Sequence, residues 1–200
     1  MATDSGAVAL GSAAPDFALD TANGSGPMSL VDFASAPALL VAFLCNHCPY
    51  VRNLEGAFGE FAAEYAAKGL AIVAISSNDV KMYPEDGTDE MLDQAMRAGF
   101  SFPYLFDETQ QVAKAYGAEC TPDFYLYDAA RTLAYHGQFD DSRPKNGVAP
   151  TGASLRAAAD LVLARERVPP PHPPSVGCSI KWKPGNEPAG QLDFRPRNGN

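Results

Sequence analysis

Two of the four cysteines stand three positions apart, in the run Cys45-Asn46-His47-Cys48. A pair with this spacing can alternate between a dithiol and a disulfide. Pro49 follows at once, and proline suits the first turn of a helix, where its missing N–H costs nothing. Free N–H groups and the dipole at a helix start stabilise a thiolate. We therefore expect Cys45 to attack as the thiolate and Cys48 to resolve the mixed disulfide.

The residues between the two cysteines tune their reactivity. A cationic His47 would favour the thiolate further. Half of a zinc site also has this spacing, but such a site needs two more ligands and the sequence has no second Cys-x-x-Cys. The sequence therefore predicts a redox pair that uses neither a metal nor a cofactor.

The other two cysteines are candidate resolving thiols. Cys120 lies shortly before Thr121-Pro122, and Cys178 follows a proline-rich stretch. Free cysteine is among the most buried residue types, so Cys120 could instead be a small core residue. Cys178 could belong to a structural latch anchored by Ile180 and Trp182, or pair with Cys120.

The elements that must position these residues follow from hydrophobic periodicity. Apolar runs at 38–44 and 70–75 are typical of strands buried on both faces. Three helices are predicted at 54–65, 91–96 and 109–116, and each is followed by a glycine that ends it. Hairpins are expected at 17–30 and 124–136, and a last helix is expected at 151–165.

Strands separated by helices imply a parallel core, and the late hairpin adds antiparallel edge strands. The order is that of a thioredoxin-like α/β fold: a central mixed sheet flanked by helices, with an N-terminal hairpin and a C-terminal extension. In this fold a proline placed like Pro122, here after Thr121, is cis and faces the cysteine pair. It leaves a backbone edge free to pair with a substrate chain.

Five segments carry a closer resemblance. The chain resembles the thioredoxin superfamily in its peroxiredoxin-like AhpC/TSA branch, and within it a group of thioredoxin-like bacterial proteins. The resemblance covers about residues 10–183 and implies thiol chemistry at the cysteine pair. The matching segments are 14–19, 44–51, 120–124, 140–144 and 177–183.

The chain also departs from both parent patterns. Leu44 replaces the tryptophan that thioredoxins carry before the first cysteine. Cys48-Pro49 fits the end of the peroxiredoxin motif Pro-x-x-x-Thr-x-x-Cys, but Val41 and Cys45 hold its proline and threonine positions. The peroxide-activating arginine would fall near Thr121. These departures favour dithiol exchange over peroxide reduction.

The composition of the chain limits the classes of partner that it can bind. The net charge is −9, from 24 acidic and 15 basic residues, which argues against nucleic acid because phosphate binding needs a basic face. No apolar run approaches the roughly 18 residues of a membrane span. The N-terminus has no basic start followed by an apolar run, so we expect a cytoplasmic protein.

Three parts are expected along the chain. Residues 1–13 are small and polar and predict a flexible arm. Residues 14–167 hold the thioredoxin-like domain. Residues 168–200 form a proline-rich connector and tail, because the prolines at 169–174 exclude helix and central strand.

Four functions remain open at this point. The leading one is a thiol-disulfide oxidoreductase acting on protein or small-molecule disulfides and served by a thiol reductant. A thiol-dependent peroxide reductase would use Cys48 as the attacking thiolate on a hydroperoxide. A copper carrier would combine the cysteine pair with a distant ligand such as His136, since soft thiolates suit Cu(I). The last is an adaptor in which the cysteines are vestigial.

Overall fold

A computed structural model describes residues 2–188. Two short 3₁₀ helices cover Leu30–Phe33 and Pro84–Asp86. The strands are β1 (Ala2–Asp4), β2 (Ala18–Thr21), β3 (Pro27–Ser29), β4 (Ala38–Phe43), β5 (Leu70–Ser76), β6 (Tyr104–Phe106), β7 (Cys120–Thr121), β8 (Asp123–Tyr127), β9 (Leu133–Gly137) and β10 (Val176–Ser179). The α-helices are α1 (Pro49–Ala67), α2 (Thr88–Ala98), α3 (Gln111–Tyr116) and α4 (Ala153–Leu163).

Seven strands form the central sheet, in the order β3-β2-β6-β5-β4-β8-β9. The three inner strands β4, β5 and β6 are parallel to one another. On one side, β8 pairs antiparallel with β4 and with β9, and on the other side β2 pairs antiparallel with β6 and with β3. The predicted mixed sheet and N-terminal hairpin are confirmed. The parallel strands need helical crossovers, which α1 and α2 supply.

Strand β4 is buried on both faces, as its unbroken apolar sequence predicts. Its side chains alternate between two hydrophobic clusters. Leu40 and Ala42 join the cluster that includes the apolar stripes of α1 and α4. Val41 and Phe43 join the opposite cluster, which includes α3. Because β4 is packed on both faces, it holds Cys45 in a fixed position just beyond the carboxyl end of the strand.

The junction between β4 and α1 places the cysteine motif. Cys48 is the N-cap residue of α1 and Pro49 is its first helical residue, in the place that suits proline. Residue 45 lies just beyond the end of β4. The predicted strand-to-helix junction is thus present, but the residue at the helix start is Cys48 and not Cys45.

The two ends of the described chain are hydrogen-bonded to each other, although residues 1–13 predict a flexible arm. Within the arm expected at residues 1–13, β1 pairs with β10, and Ser5 N–H donates to the Ser175 carbonyl at 2.8 Å. The C-terminal segment returns after the proline connector, and Ile180 is buried in the main domain. Both ends pair because each supplies backbone groups that the other leaves unsatisfied. The last tail residues, 189–200, lie outside the described part.

The last helix is shorter than predicted, since α4 covers only 153–163 of the expected 151–165. Gly99, with φ of 69°, ends α2 in the left-handed conformation that glycine adopts readily. Within residues 2–188, no helix combines the length and apolar character needed to cross a bilayer.

Helices α1 and α2 approach each other most closely at Gly59. A Cβ atom at this position would lie 1.9 Å from the Ala98 carbonyl oxygen. Gly56, one turn earlier in α1, faces open space.

We expect Gly59→Ala to lower the free energy of unfolding by about 1–3 kcal/mol through overpacking. Gly56→Ala should raise it by about 0.5–1 kcal/mol through helix propensity. Urea unfolding measures both, and equal effects of the two changes would contradict the close helix contact.

Candidate functional site

Thr121 contacts both cysteines of the motif. Its hydroxyl oxygen lies 3.1 Å from Cys45 Sγ, and its carbonyl oxygen lies 3.2 Å from Cys48 Sγ. The peptide bond from Thr121 to Pro122 is cis. Cys45 and Cys48 are 1% and 0% exposed, and all four cysteines of the chain are free thiols. The predicted site residues are therefore together, but they lie beneath the surface.

The edge beside Pro122 is occupied, contrary to the expectation of a free substrate edge. Strand β10 pairs antiparallel with β7, which puts Cys178 opposite Thr121 and Ser179 opposite Cys120. A Cβ atom on Gly177 would lie 1.9 Å from the Thr121 carbonyl oxygen, so only glycine permits this approach. The sequence could not show this pairing because β7 and β10 are far apart in the chain.

Several neighbouring groups lower the pKa of Cys48. The thiol of Cys178 is the largest of these influences, followed by the thiol of Cys45. Burial opposes them, and the backbone N–H groups of Val51 and Cys178 add to the lowering. The Thr121 carbonyl also opposes them, since it can bond only to the protonated thiol. The lowering influences prevail, so the pKa of Cys48 lies well below its usual range.

Cys45 has the opposite tendency. Burial is the largest cause that raises the pKa of this thiol, and its hydrogen bond to Cys48 and the nearby Asp86 carboxylate raise it further. The Thr121 hydroxyl lowers it only in part. The two opposite directions favour a thiolate on Cys48 over one on Cys45. Cys48 is also the residue at the start of α1.

Asp86 organises the loop between the cysteines. Its carboxylate accepts the backbone N–H of Asn46 at 2.8 Å and that of His47 at 3.0 Å. It also bonds His47 Nδ1 at 2.5 Å and accepts the Asn78 amide at 2.7 Å. Burial would raise the pKa of Asp86, but the hydrogen bonds from His47 and Asn78 hold it below its ordinary value. The hydrogen bond to Asp86 raises the pKa of His47.

A second polar network supports the loop from the α1 and α2 side. Arg97 bonds Glu55 at 2.7 Å and the side-chain oxygen of Asn46 at 3.0 Å. Gln94 donates to Glu55 and, at 3.4 Å, to the Cys45 carbonyl, while Tyr104 donates to Gln94. These groups are satisfied although largely buried, so they fix the backbone of Cys45 and Asn46.

The sequence analysis missed Asp86, Asn78 and this network. Two signals were available. Gln94 lies on the apolar stripe of α2, three residues after Met91, and Glu55 lies on that of α1, four residues after Val51. A polar residue on a buried stripe needs a buried partner. Asp86 gives no comparable signal, since a carboxylate before a helix resembles an ordinary capping residue.

The remaining candidates lie apart from the sulfurs or bond elsewhere. Cys120 is buried and its thiol donates to the Pro122 carbonyl at 3.8 Å. His136 is buried and bonds the Asp123 carboxylate at 3.0 Å. His172 packs against Tyr135 in a tilted arrangement, with ring centroids 4.8 Å apart. Arg143 donates to the Asp140 and Ser142 carbonyls and to the Gln138 side chain.

One group of potential metal ligands exists in the described range. Cys45, His47 and Asp86 offer ligand atoms within 4.8 Å of one another. The Asp86 oxygens already accept four hydrogen bonds from protein donors. His136 does not belong to this group. The arrangement therefore serves hydrogen bonding within the chain better than ion coordination.

The mixed sheet, the helices on both faces and the cysteine motif against Thr121–Pro122 define a protein of the thioredoxin fold class. More particularly, the model of the AhpC/TSA family matches residues 10–136, and the chain belongs to that family.

Individual relatives agree with this assignment. A hypothetical protein from Sinorhizobium meliloti 1021 has a similar solved structure, with 51% identity and a TM-score of 0.89, covering 92% of this chain and 100% of that one. Thiol-disulfide oxidoreductase ResA of Geobacillus thermodenitrificans is 29% identical over 126 residues, or 63% of this chain and 67% of ResA. A thiol:disulfide interchange protein of the thioredoxin family from Chlorobium tepidum shares the fold at 18% identity, with a TM-score of 0.59 and coverage of 78% and 99%.

The hydrogen bond between His47 and Asp86 predicts a measurable titration. We expect the pKa of His47 to lie above its ordinary value of about 6.5 and to fall in Asp86→Asn, because the neutral amide stabilises the imidazolium less. Glu85→Gln is the matched control, since Glu85 raises the pKa of His47 less than Asp86 does and its replacement should change that pKa less. Proton NMR of the imidazole against pH measures both shifts. An unchanged His47 pKa in Asp86→Asn would contradict the assigned partner.

Proposed function

We propose that this chain is a thiol-disulfide oxidoreductase in which Cys45 and Cys48 alternate between a dithiol and a disulfide. The observation that carries the proposal is the contact of both sulfurs with Thr121, with Cys48 at the start of α1. A stabilised thiolate beside a protonated thiol is the arrangement that disulfide exchange requires. The name of the relative ResA and the family assignment support the same chemistry.

The roles in this proposal follow the electrostatics of the site. Cys48 is the nucleophile and, in the reverse direction, the better leaving group, because a thiolate of lower pKa leaves faster. Cys45 is the second sulfur, which attacks Cys48 Sγ once Cys48 is part of a mixed disulfide. When Cys48 forms that bond its negative charge is lost, which removes one of the influences that raise the pKa of Cys45. The Thr121 hydroxyl then stabilises the Cys45 thiolate.

Two external partners complete the proposed exchange. A protein or small-molecule disulfide is the oxidant, and a cellular thiol is the reductant. We place this exchange in the cytoplasm, where thiols are mostly reduced. Fractionation of cells tests that location.

Equilibration with reduced and oxidised glutathione tests the redox pair. We expect Cys45 and Cys48 to lose their reactivity toward an alkylating reagent together, with peptide mapping showing a disulfide between them. Cys45→Ser and Cys48→Ser should each abolish this disulfide. In the reduced protein, the ultraviolet thiolate absorbance below the usual cysteine pKa of about 8.5 should vanish in Cys48→Ser and persist in Cys45→Ser.

Cys120→Ser is the matched control for this measurement. It removes a buried thiol whose hydrogen bond goes to the Pro122 carbonyl and not to the motif, so both the disulfide and the absorbance should persist. The proposal fails if the wild-type protein forms no disulfide between residues 45 and 48 at any glutathione ratio.

Peroxide reduction is the second candidate, because the stabilised thiolate is Cys48, the residue that this function would use. Hydrogen peroxide would convert the Cys48 thiolate to a sulfenic acid with release of hydroxide, and a neighbouring thiol would then form a disulfide with release of water. The groups that stabilise Cys48 within residues 2–188 are thiols and backbone N–H groups, not a guanidinium.

We expect peroxide to oxidise the protein no faster than it oxidises free cysteine, since Cys48 is buried and without an activating arginine. Stopped-flow measurement of thiol loss against peroxide concentration checks this rate, with Cys48→Ser as the background. A rate well above that of free cysteine, lost in Cys48→Ser, would move peroxide reduction into first place.

A further inference from the structure

Both sulfurs of the motif are inaccessible to a bulky partner in this structure. Cys45 and Cys48 are almost fully buried, and the cleft beside Pro122 has room for only about one water, with a volume of about 10 Å³. Residues of the C-terminal segment, Ser175 and Val176, line this cleft. Electrons must therefore reach the pair through another group or through movement of the covering strand.

The covering strand is fixed on all sides. β10 is the middle strand of the sheet β1-β10-β7, so both of its edges are hydrogen-bonded. Just after it, Ile180 N–H donates to the Glu119 carbonyl and Lys181 N–H to the Asn78 side chain. Ile180 itself is buried in the core. A substrate strand thus cannot pair with β7 unless this whole segment is released.

Cys178 connects the buried pair to the surface. It is half-buried, in contrast to Cys45 and Cys48, and it lies opposite Thr121 in the register of β10 and β7. Its side chain packs against the hydrophobic cluster that contains Cys45 and Cys48. Thr121, whose carbonyl oxygen lies 3.2 Å from Cys48 Sγ, thus has Cys178 as its neighbour on β10.

We infer that Cys178 is a third redox-active sulfur, through which external thiols exchange electrons with the buried pair by way of a Cys48–Cys178 disulfide. This inference rests on the proposed function and adds the path to it. β10 then occupies the substrate edge as a permanent internal partner, and the external partner is a small thiol or a protein dithiol that reaches Cys178.

Reduction of the oxidised protein proceeds in three balanced steps. Cys178 attacks Cys48 Sγ, the Cys45–Cys48 bond breaks, and the proton lost by Cys178 is taken up by Cys45. An external thiolate then attacks Cys178 Sγ, and Cys48 leaves as the thiolate. A second external thiol attacks the external sulfur of this mixed disulfide, which releases Cys178 as a thiol. Two external thiols become one disulfide, and the protein regains its dithiol.

The electrostatics of the two redox states favour this order. In the reduced protein, the hydrogen bond to Cys48 is the largest cause that raises the pKa of Cys178, and burial is the next. A disulfide between residues 45 and 48 removes the charge on Cys48 and leaves the nearby Lys181, which lowers the pKa of Cys178. Oxidation of the pair therefore activates the sulfur that starts its reduction.

The experiment uses the full chain, oxidised with glutathione disulfide and then reduced with dithiothreitol. Samples are quenched with an alkylating reagent and mapped by mass spectrometry. We expect Cys178→Ser to form the Cys45–Cys48 disulfide. Dithiothreitol should reduce this disulfide at least about ten times more slowly than in the wild type. Ser179→Ala, on the next residue of the same strand, should match the wild type. Thermal unfolding by circular dichroism confirms that each variant is folded.

A second variant traps the proposed intermediate. Cys45→Ser treated with glutathione disulfide should yield a Cys48–Cys178 disulfide as its main product. Glutathione attached to Cys48 in place of that disulfide would overturn the inference, as would wild-type reduction kinetics in Cys178→Ser. Failure of the proposed function looks different, because the wild-type protein would then show no Cys45–Cys48 disulfide at all.

Discussion

The packing of three chain segments around Cys48 Sγ is the constraint on which the chemistry of this site depends. A buried thiolate is costly unless hydrogen bonds replace its hydration. The groups that lower the pKa of Cys48 belong to three separate segments: the first turn of α1, Cys45 after the end of β4, and Cys178 on β10. The packing of α1 against β10 and β7 therefore sets the reactivity of the sulfur as much as the motif does.

The carboxylate of Asp86 balances this arrangement. It holds the Asn46–His47 backbone and raises the pKa of Cys45, which keeps the proton on the sulfur away from the helix start. Asn78 links Asp86 to the C-terminal segment, because its amide donates to Asp86 and its oxygen accepts the N–H of Lys181. The segment that carries Cys178 and the loop that carries the motif are thus parts of one hydrogen-bonded unit.

The burial of both sulfurs makes this site selective, but it also limits the access of other molecules to them. Other members of the thioredoxin fold class are expected to offer an open edge beside the cis proline, whereas β10 closes it here. The close pairing depends on Gly177, where a side chain would collide with the Thr121 carbonyl. The closed edge leaves Cys178, on β10 itself, as the sulfur opposite Thr121.

The sequence alone determined the inner strands, the helices and the position of the cysteine motif. The apolar run at 38–44 predicts a strand buried on both faces, Pro49 marks a helix start, and Cys45 and Cys48 therefore fall at the junction. Local patterns of this kind depend on neighbouring residues, so they can be read without the fold. The tertiary structure decided that both sulfurs contact Thr121, that Asp86 and Asn78 support the loop, and that Cys178 lies opposite Thr121. These contacts join segments far apart in the chain, and their geometry depends on the pairing of β10 with β7, which no local pattern specifies.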